Sequence, residues 1–241
     1  MFVLYAVAVS TVPLAALPAI AKSVRLADER MTFMLPNEWT AIPQNVIAKY
    51  NTGLERALSE PHRVDFKYGY QISGADEFDY PYILVKNGER YKITEAIFQD
   101  LPTVDMNEAF RKGMDQARGL LPPGSLGSLS FQKLAFDPAT HKMWSEGKAT
   151  TDCGVEVRGL IMMQPTEDGV TDFYFYAASE QYLKLKPLFL KVALSVTPDP
   201  EIAYRPDDYN WQPIISAGIK GLLLVTAFSF YRRFFGRSKP A

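Results

Sequence analysis

The side chains able to do chemistry are few and scattered. The chain of 241 residues holds two histidines, His62 and His141, and one cysteine, Cys153. Zinc takes four nitrogen or sulfur ligands, commonly with pairs only a few residues apart. His62, His141 and Cys153 show no such spacing and would meet only by tertiary arrangement. A single cysteine also leaves no intramolecular disulfide. Gly124-Ser125-Leu126-Gly127 lacks the G-x-S-x-G frame of a nucleophile elbow, and no Gly-Lys-Ser/Thr follows to make it a phosphate loop. Pro122-Pro123-Gly124 reads instead as a helix stop. One cluster remains, the carboxylates of Asp76, Glu77 and Asp79. Oxygen ligands at that density suit weak cation binding or partner docking, although the EF-hand spacing and its glycine are missing. The sequence therefore assigns no catalytic, cofactor-binding or metal-ligating residue. It makes Asp76, Glu77 and Asp79 the candidate partner-binding residues, together with the exposed edge of a strand meander. The rival expectations are a structural subunit of a larger membrane complex, packing through residues 214–235, and a hydrolase or metal-dependent enzyme that assembles Asp or Glu with His62 or His141 in three dimensions.

The elements that must position these groups are legible from periodicity. Met31–Pro43 carries two short strand-like pieces around the turn pair Pro36-Asn37. Gln44–Ser59 places Ile47, Tyr50, Leu54 and Leu58 at helical spacing. Arg63–Ile72 alternates apolar and polar residues, which predicts a strand in an antiparallel sheet covered on one side. The acidic loop follows, then a strand over Tyr80–Lys86. Asp105-Met106-Asn107-Glu108 resembles a capping box, and the residues after it, Ala109, Phe110, Gly113, Met114, Ala117, Leu120 and Leu121, form a core-facing helical stripe with Met106. Four strands are predicted next, over Leu129–Phe136, Lys142–Thr151, Val155–Gln164 and Val170–Ala178, joined by links rich in turn residues. A last helix, Glu180–Val196, sets Tyr182, Leu185, Phe189 and Val192 on one side, and an irregular linker with Tyr204, Tyr209 and Trp211 follows. Phe173-Tyr174-Phe175-Tyr176 supplies aromatics to both faces of one strand, either as core on both sides or as a ligand groove or partner surface. Met162 and Met163 suit gap filling in the same layers. Strands in a meander with separate helices give the α+β class.

The ends of the chain point to a membrane. Ile214–Phe235 is mostly apolar and about 33 Å long as a helix, close to a bilayer core of about 30 Å. Arg232, Arg233, Arg237 and Lys239 flank its C-terminal end, an arrangement that keeps that end cytoplasmic. Lys220 lies six residues inside the run, where its ammonium can snorkel to the opposite interface. The expected anchor thus includes Lys220, Arg232 and Arg233, with a buried C-terminal helix of the domain as the other reading. Met1–Ala21 reads as a signal peptide cleaved after Ala19-Ile20-Ala21, or as a retained N-terminal anchor. Residues 22–200 then form an extracytoplasmic domain, 201–213 a linker and 236–241 a cytoplasmic tail, in a single-pass protein of the inner membrane facing the periplasm. Residues 22–212 carry 21 basic and 27 acidic side chains, a net charge of −6. An acidic domain lacks the basic patch that nucleic acid requires, so the expected partners are the membrane and an envelope protein.

Three segments bear a family resemblance. Phe33-Met34-Leu35-Pro36-Asn37-Glu38-Trp39, Tyr80-Pro81-Tyr82-Ile83-Leu84-Val85 and Tyr182-Leu183-Lys184-Leu185-Lys186-Pro187-Leu188-Phe189 resemble the first strand, central strand and final helix of the PsbP-like superfamily, which includes the photosystem II extrinsic protein and DcrB-type envelope proteins. The resemblance covers about residues 24–200. It implies an α-β-α sandwich that binds partners without catalysis, and it transfers no site residue. A C-terminal anchor is not part of that family's common pattern.

Overall fold

The structure, a computed structural model, describes residues 20–57, 65–87, 107–108, 128–150 and 156–205. Its elements are β1 (Ile20–Leu26), β2 (Met31–Pro36), β3 (Trp39–Ala41), α1 (Gln44–Ala57), β4 (Phe66–Ile72), β5 (Tyr82–Asn87), β6 (Ser128–Phe131), β7 (Ala135–Asp137), β8 (Lys142–Thr150), β9 (Glu156–Thr166), β10 (Gly169–Ala178), α2 (Ser179–Ser195) and β11 (Thr197–Pro198). Residues 1–19 of the expected signal region 1–21, the anchor over 214–235 with Lys220, Arg232 and Arg233, His62, Cys153, and all but Asn107-Glu108 of the helix expected after Asp105 lie outside the described residues; Ile20 and Ala21 are in β1. Among the described residues no helix is long and apolar enough to cross a membrane.

The strands form two antiparallel sheets. The larger runs β3-β4-β5-β10-β9-β8-β6, with β7 also on β8; the smaller is β1-β2-β11. The two pieces around Pro36-Asn37 are both strands, but they belong to different sheets, so this turn carries the chain from one layer to the other. The mixed α+β class and the antiparallel meander are as the sequence implied.

β10 is buried along both faces because it lies between β5 and β9 and beneath side chains from both sides. Phe173, Phe175 and Ala177 point to the layer made by α2 and the small sheet, where they join Phe33, Leu35, Trp39, Phe189 and Val192. Phe33 sits edge-on to Phe173 at 5.7 Å, and Phe175 meets Phe189 at 5.3 Å. Tyr174 and Tyr176 point the other way, toward α1, with Tyr82 5.0 Å from Tyr176 and Phe66 edge-on to Tyr174 at 5.7 Å. Each such ring contributes about 1.5–3 kcal/mol by leaving water. The four aromatics are core on both sides.

Three expectations are corrected. First, the sheet is not covered on one side at β4. Phe66 pairs with Lys86 but Tyr68 with Val85, so β4 carries a bulge. An extra residue reverses which side chains face which layer. Phe66 therefore joins Tyr50 on the α1 side, while Tyr70 packs on Phe33 at 5.3 Å on the other. Gly69, expected on the wet face, lies under α1: a Cβ there would stand 2.9 Å from the Ile47 Cδ1 and 3.0 Å from the Ile42 Cδ1. Secondly, Leu129–Phe136 is two strands, not one. Between them the Gln132 N–H donates to the Glu146 carbonyl at 2.8 Å and the Ser145 hydroxyl to the Gln132 carbonyl at 2.8 Å. Thirdly, residues after the last helix are docked on the domain. Arg25 donates to both carboxylate oxygens of Asp199 at 2.5 and 2.6 Å. The Glu167 N–H donates to the Ile202 carbonyl at 3.0 Å, and Ala203 bridges to Thr166.

On each edge strand of the large sheet one residue is bonded by a side chain. At β6 the Asn107 amide donates to the Phe131 carbonyl at 3.0 Å and its oxygen accepts the Phe131 N–H at 2.7 Å. At β3 the Lys22 ammonium donates to the Trp39 carbonyl.

Gly159 is the tightest point of the sheet. A Cβ there would lie 2.9 Å from the Phe175 backbone carbonyl, which cannot rotate away, and 3.6 Å from the Tyr176 ring. Gly159→Ala is expected to destabilise the protein by about 1–3 kcal/mol or more. Gly69→Ala meets only the ends of flexible side chains and should cost less. Denaturant midpoints of the two variants check this order; equal midpoints would contradict it.

Candidate functional site

The acidic loop is a surface structure fixed from below by one aromatic side chain. Asp76, Glu77 and Asp79 are exposed, whereas Phe78 between them is half-buried. Phe78 stacks on Tyr50 of α1 with centroids 4.4 Å apart and meets Tyr82 edge-on at 5.6 Å. Its φ of 60° is a left-handed conformation that costs a bulky residue about 1–3 kcal/mol and persists only where packing imposes it. Gln71, on the face expected to be wet, is buried and holds the loop at two points. Its amide donates to the Ala75 carbonyl at 2.9 Å, and its oxygen accepts the Phe78 N–H at 3.0 Å. The three carboxylates are thus presented outward on a braced turn, closed by the Asp79 N–H donating to the Asp76 carbonyl at 3.0 Å. Phe78 was not singled out in the sequence; an aromatic residue embedded among acids was its signal.

The other candidate groups do not converge on this loop. His141, with φ of 55°, lies in the β7–β8 link, its ring 4.8 Å from Tyr204 and 6.1 Å from Phe136. Tyr204 accordingly packs against the domain. Among the described residues no group of three or more His, Cys, Asp or Glu side chains has metal-binding geometry. The expected free edge of the meander is β6, and its Phe131 backbone groups are taken by Asn107.

Several charged side chains that the sequence did not mark are held in defined positions. Asp172 and Lys86 face each other across β10 and β5, and both are buried. Burial raises the Asp172 pKa above the ordinary carboxyl value, while Lys86 and the Tyr174 hydroxyl, which donates to Asp172 at 3.2 Å, oppose the rise. Lys142 is buried at the C-terminal end of α2, where its ammonium donates to the Leu194 carbonyl at 2.8 Å and meets the negative end of the helix dipole. Desolvation lowers its pKa, and Asp137 opposes that. Beside the N-terminal half of α2, Glu146 accepts from the Tyr182 hydroxyl at 2.9 Å and from Lys186 at 2.6 Å. The Arg158 guanidinium lies 5.0 Å from the centre of the Tyr182 ring.

The outer side of α2 is the remaining surface of note. Its inner side buries Tyr182, Leu188, Phe189, Val192 and Ala193, in agreement with the predicted stripe except that Leu185 is half-buried. Its outer side exposes Leu183, Lys184, Pro187, Lys191 and Leu194. The spacing 183, 187, 190, 194 is a second helical stripe in the sequence, masked there by the first.

No family model matches the chain, and no curated protein matches it. Solved structures do. The chain is similar to the cyanobacterial PsbP of Synechocystis, with 13% identity, a TM-score of 0.49, and coverage of 78% of this chain and 99% of that one. It is also similar to the protein Mog1 in a mutant form, with 12% identity, a TM-score of 0.40, and coverage of 76% and 96%. A third is LpqN, involved in cell envelope biogenesis of Mycobacterium tuberculosis, with 13% identity, a TM-score of 0.37, and coverage of 73% and 88%. These likenesses concern the course of the chain and bring no functional residue with them.

Phe78→Ala is expected to release the loop, costing about 1–3 kcal/mol through the lost ring burial. Faster hydrogen exchange at the Phe78 and Asp79 amides would report it; unchanged exchange would show that Gln71 alone braces the turn. Asp172 gives a pH prediction. Its folded pKa is above the unfolded one, so its contribution favours folding most at low pH. That contribution declines as pH rises through the unfolded value and then the folded one. Asp172→Asn should remove this slope, seen by comparing denaturant midpoints from about pH 4 to about pH 8.

Proposed function

We propose that the chain is a membrane-anchored envelope protein. In this reading its extracytoplasmic α+β domain binds a protein partner or small ligand and performs no chemistry. The observation that carries the reading is the apolar run Ile214–Phe235 with Lys220 near its start and Arg232 and Arg233 near its end, behind a domain of net charge −6. Such a run fits a single span with its basic end in the cytoplasm. The acidic loop supports a binding role, because Asp76, Glu77 and Asp79 stand exposed on a turn braced by Phe78 and Gln71. A preorganised loop loses less entropy when it meets a partner. Confinement beside the membrane then raises the effective concentration of the domain for neighbours there.

Two experiments test the reading. Reporters active only outside or only inside the cytoplasm, fused after Gln212 and after Ala241, should show Gln212 outside and Ala241 inside; the reverse would overturn the topology. Crosslinking followed by co-purification should recover a specific neighbour. Replacing Asp76, Glu77 and Asp79 together with Asn and Gln should reduce that yield several-fold while the denaturant midpoint stays nearly constant. An undiminished yield would remove the loop from the binding surface.

A further inference from the structure

Among the described residues two large hydrophobic side chains are exposed, and both stand on α2: Leu183 at 71% and Leu194 at 52% of full exposure. They lie three helical turns apart and so face the same way. Pro187, exposed, and Leu190, half-buried, fall between them on the same line. The result is an apolar ridge about 16 Å long. It is separate from the stripe by which α2 joins the core, which consists of Tyr182, Leu188, Phe189, Val192 and Ala193. Leu190 also packs against that core, but the core gives no reason for Leu183 and Leu194 to be apolar.

The flanks of the ridge are basic. Lys184 and Lys191 lie along one side and are exposed; Lys186 lies on the other, paired with Glu146 at 2.6 Å. Glu180 is the only acid on the helix. On an acidic domain this strip carries the opposite sign, the one that anionic headgroups attract. Pro187 limits how deep the helix can go. It has no N–H, so the Leu183 carbonyl loses its helical donor. That carbonyl is satisfied by water at an interface but not in hydrocarbon. Pairing of α2 with a second copy of itself would set lysines against lysines. The position of the chain's exit agrees with a bilayer. The Leu194 carbonyl is held by Lys142 at the start of β8, and Ala203 bridges to Thr166 at the end of β9, which pairs with β8. From Arg205 the nine steps to Ile214 reach at most about 32 Å.

We propose that the outer face of α2 docks on the surface of an anionic lipid bilayer. Leu183 and Leu194 enter the headgroup boundary, and Lys184 and Lys191 meet the lipid charges. The source of the bilayer rests on the anchored reading above; the ridge itself does not. Docking of this kind fixes which side of the domain faces away from the membrane.

The test uses the full chain reconstituted into vesicles with and without phosphatidylglycerol. Single cysteines replace Leu183, Leu194 or, as a control, Asp76 in a Cys153→Ser background, and each carries an environment-sensitive fluorophore. Spin-labelled lipid should quench the labels at 183 and 194 in anionic vesicles and leave the label at 76 bright. Lys184→Gln and Lys191→Gln should each reduce the docked-to-free ratio roughly fivefold. Unquenched labels at 183 and 194 on protein that resists carbonate extraction would overturn the docking and leave the anchor standing. Quenched labels on protein that carbonate removes would support the docking and overturn the anchor. Quenching between labelled copies without lipid quenching would assign the ridge to a second copy and also overturn the proposal.

Discussion

The architecture depends on the burial of β10 on both faces at once. A strand covered on one side needs apolar residues only at alternate positions. β10 needs them at nearly every position, and it meets this with phenylalanines toward α2 and the small sheet and tyrosines toward α1. Its neighbours inherit the demand. β9 answers with Leu160 and Met162 on one side and Ile161 and Met163 on the other, and β5 with Ile83 and Val85 against Tyr82 and Leu84. Gly159 sits where the Phe175 carbonyl leaves room for no side chain at all. Layers on both sides of one sheet follow from this central requirement.

The polar groups in this interior show where the requirement is relaxed. Asp172 and Lys86 lie opposite one another at the start of β10, and the Tyr174 hydroxyl turns to the carboxylate. Buried charges of opposite sign offset each other's lost hydration only in part. Lys142 is a different case, since its ammonium serves the carbonyl end of a helix that lacks a basic residue in its last turn. Ser195 ties that same end to the small sheet, accepting the Met34 N–H at 2.9 Å while donating to the Val192 carbonyl at 2.6 Å.

Most of this was legible in the sequence where periodicity alone decides the outcome. The helices over Gln44–Ala57 and Ser179–Ser195 and the long hairpin of β9 and β10 appear close to where their patterns put them. What the pattern could not show was context. The alternation of β4 looked like a one-sided strand because a bulge is invisible to a period-two count, and because Gly69 reads as polar when it is instead the gap into which Ile47 packs. The turn at Pro36-Asn37 gave no sign that its two strands part into different sheets. At the candidate site the acids Asp76, Glu77 and Asp79 were plain, but their bracing by Phe78 and Gln71 was not, since it requires Tyr50 from a distant helix.

The side chains bonded to the edges of the large sheet have a further consequence. An open edge strand offers a row of unpaired backbone groups to any other extended chain, and that is a common route both to peptide capture and to aggregation. Here one outer strand is three residues long and receives a lysine ammonium, and the other has backbone groups answered by an asparagine amide that imitates a further strand. At those two residues, Trp39 and Phe131, a strand cannot be added without displacing a side chain. In the binding role proposed above, a partner would then meet loops and helix faces, whose side chains discriminate in a way that a backbone ladder does not.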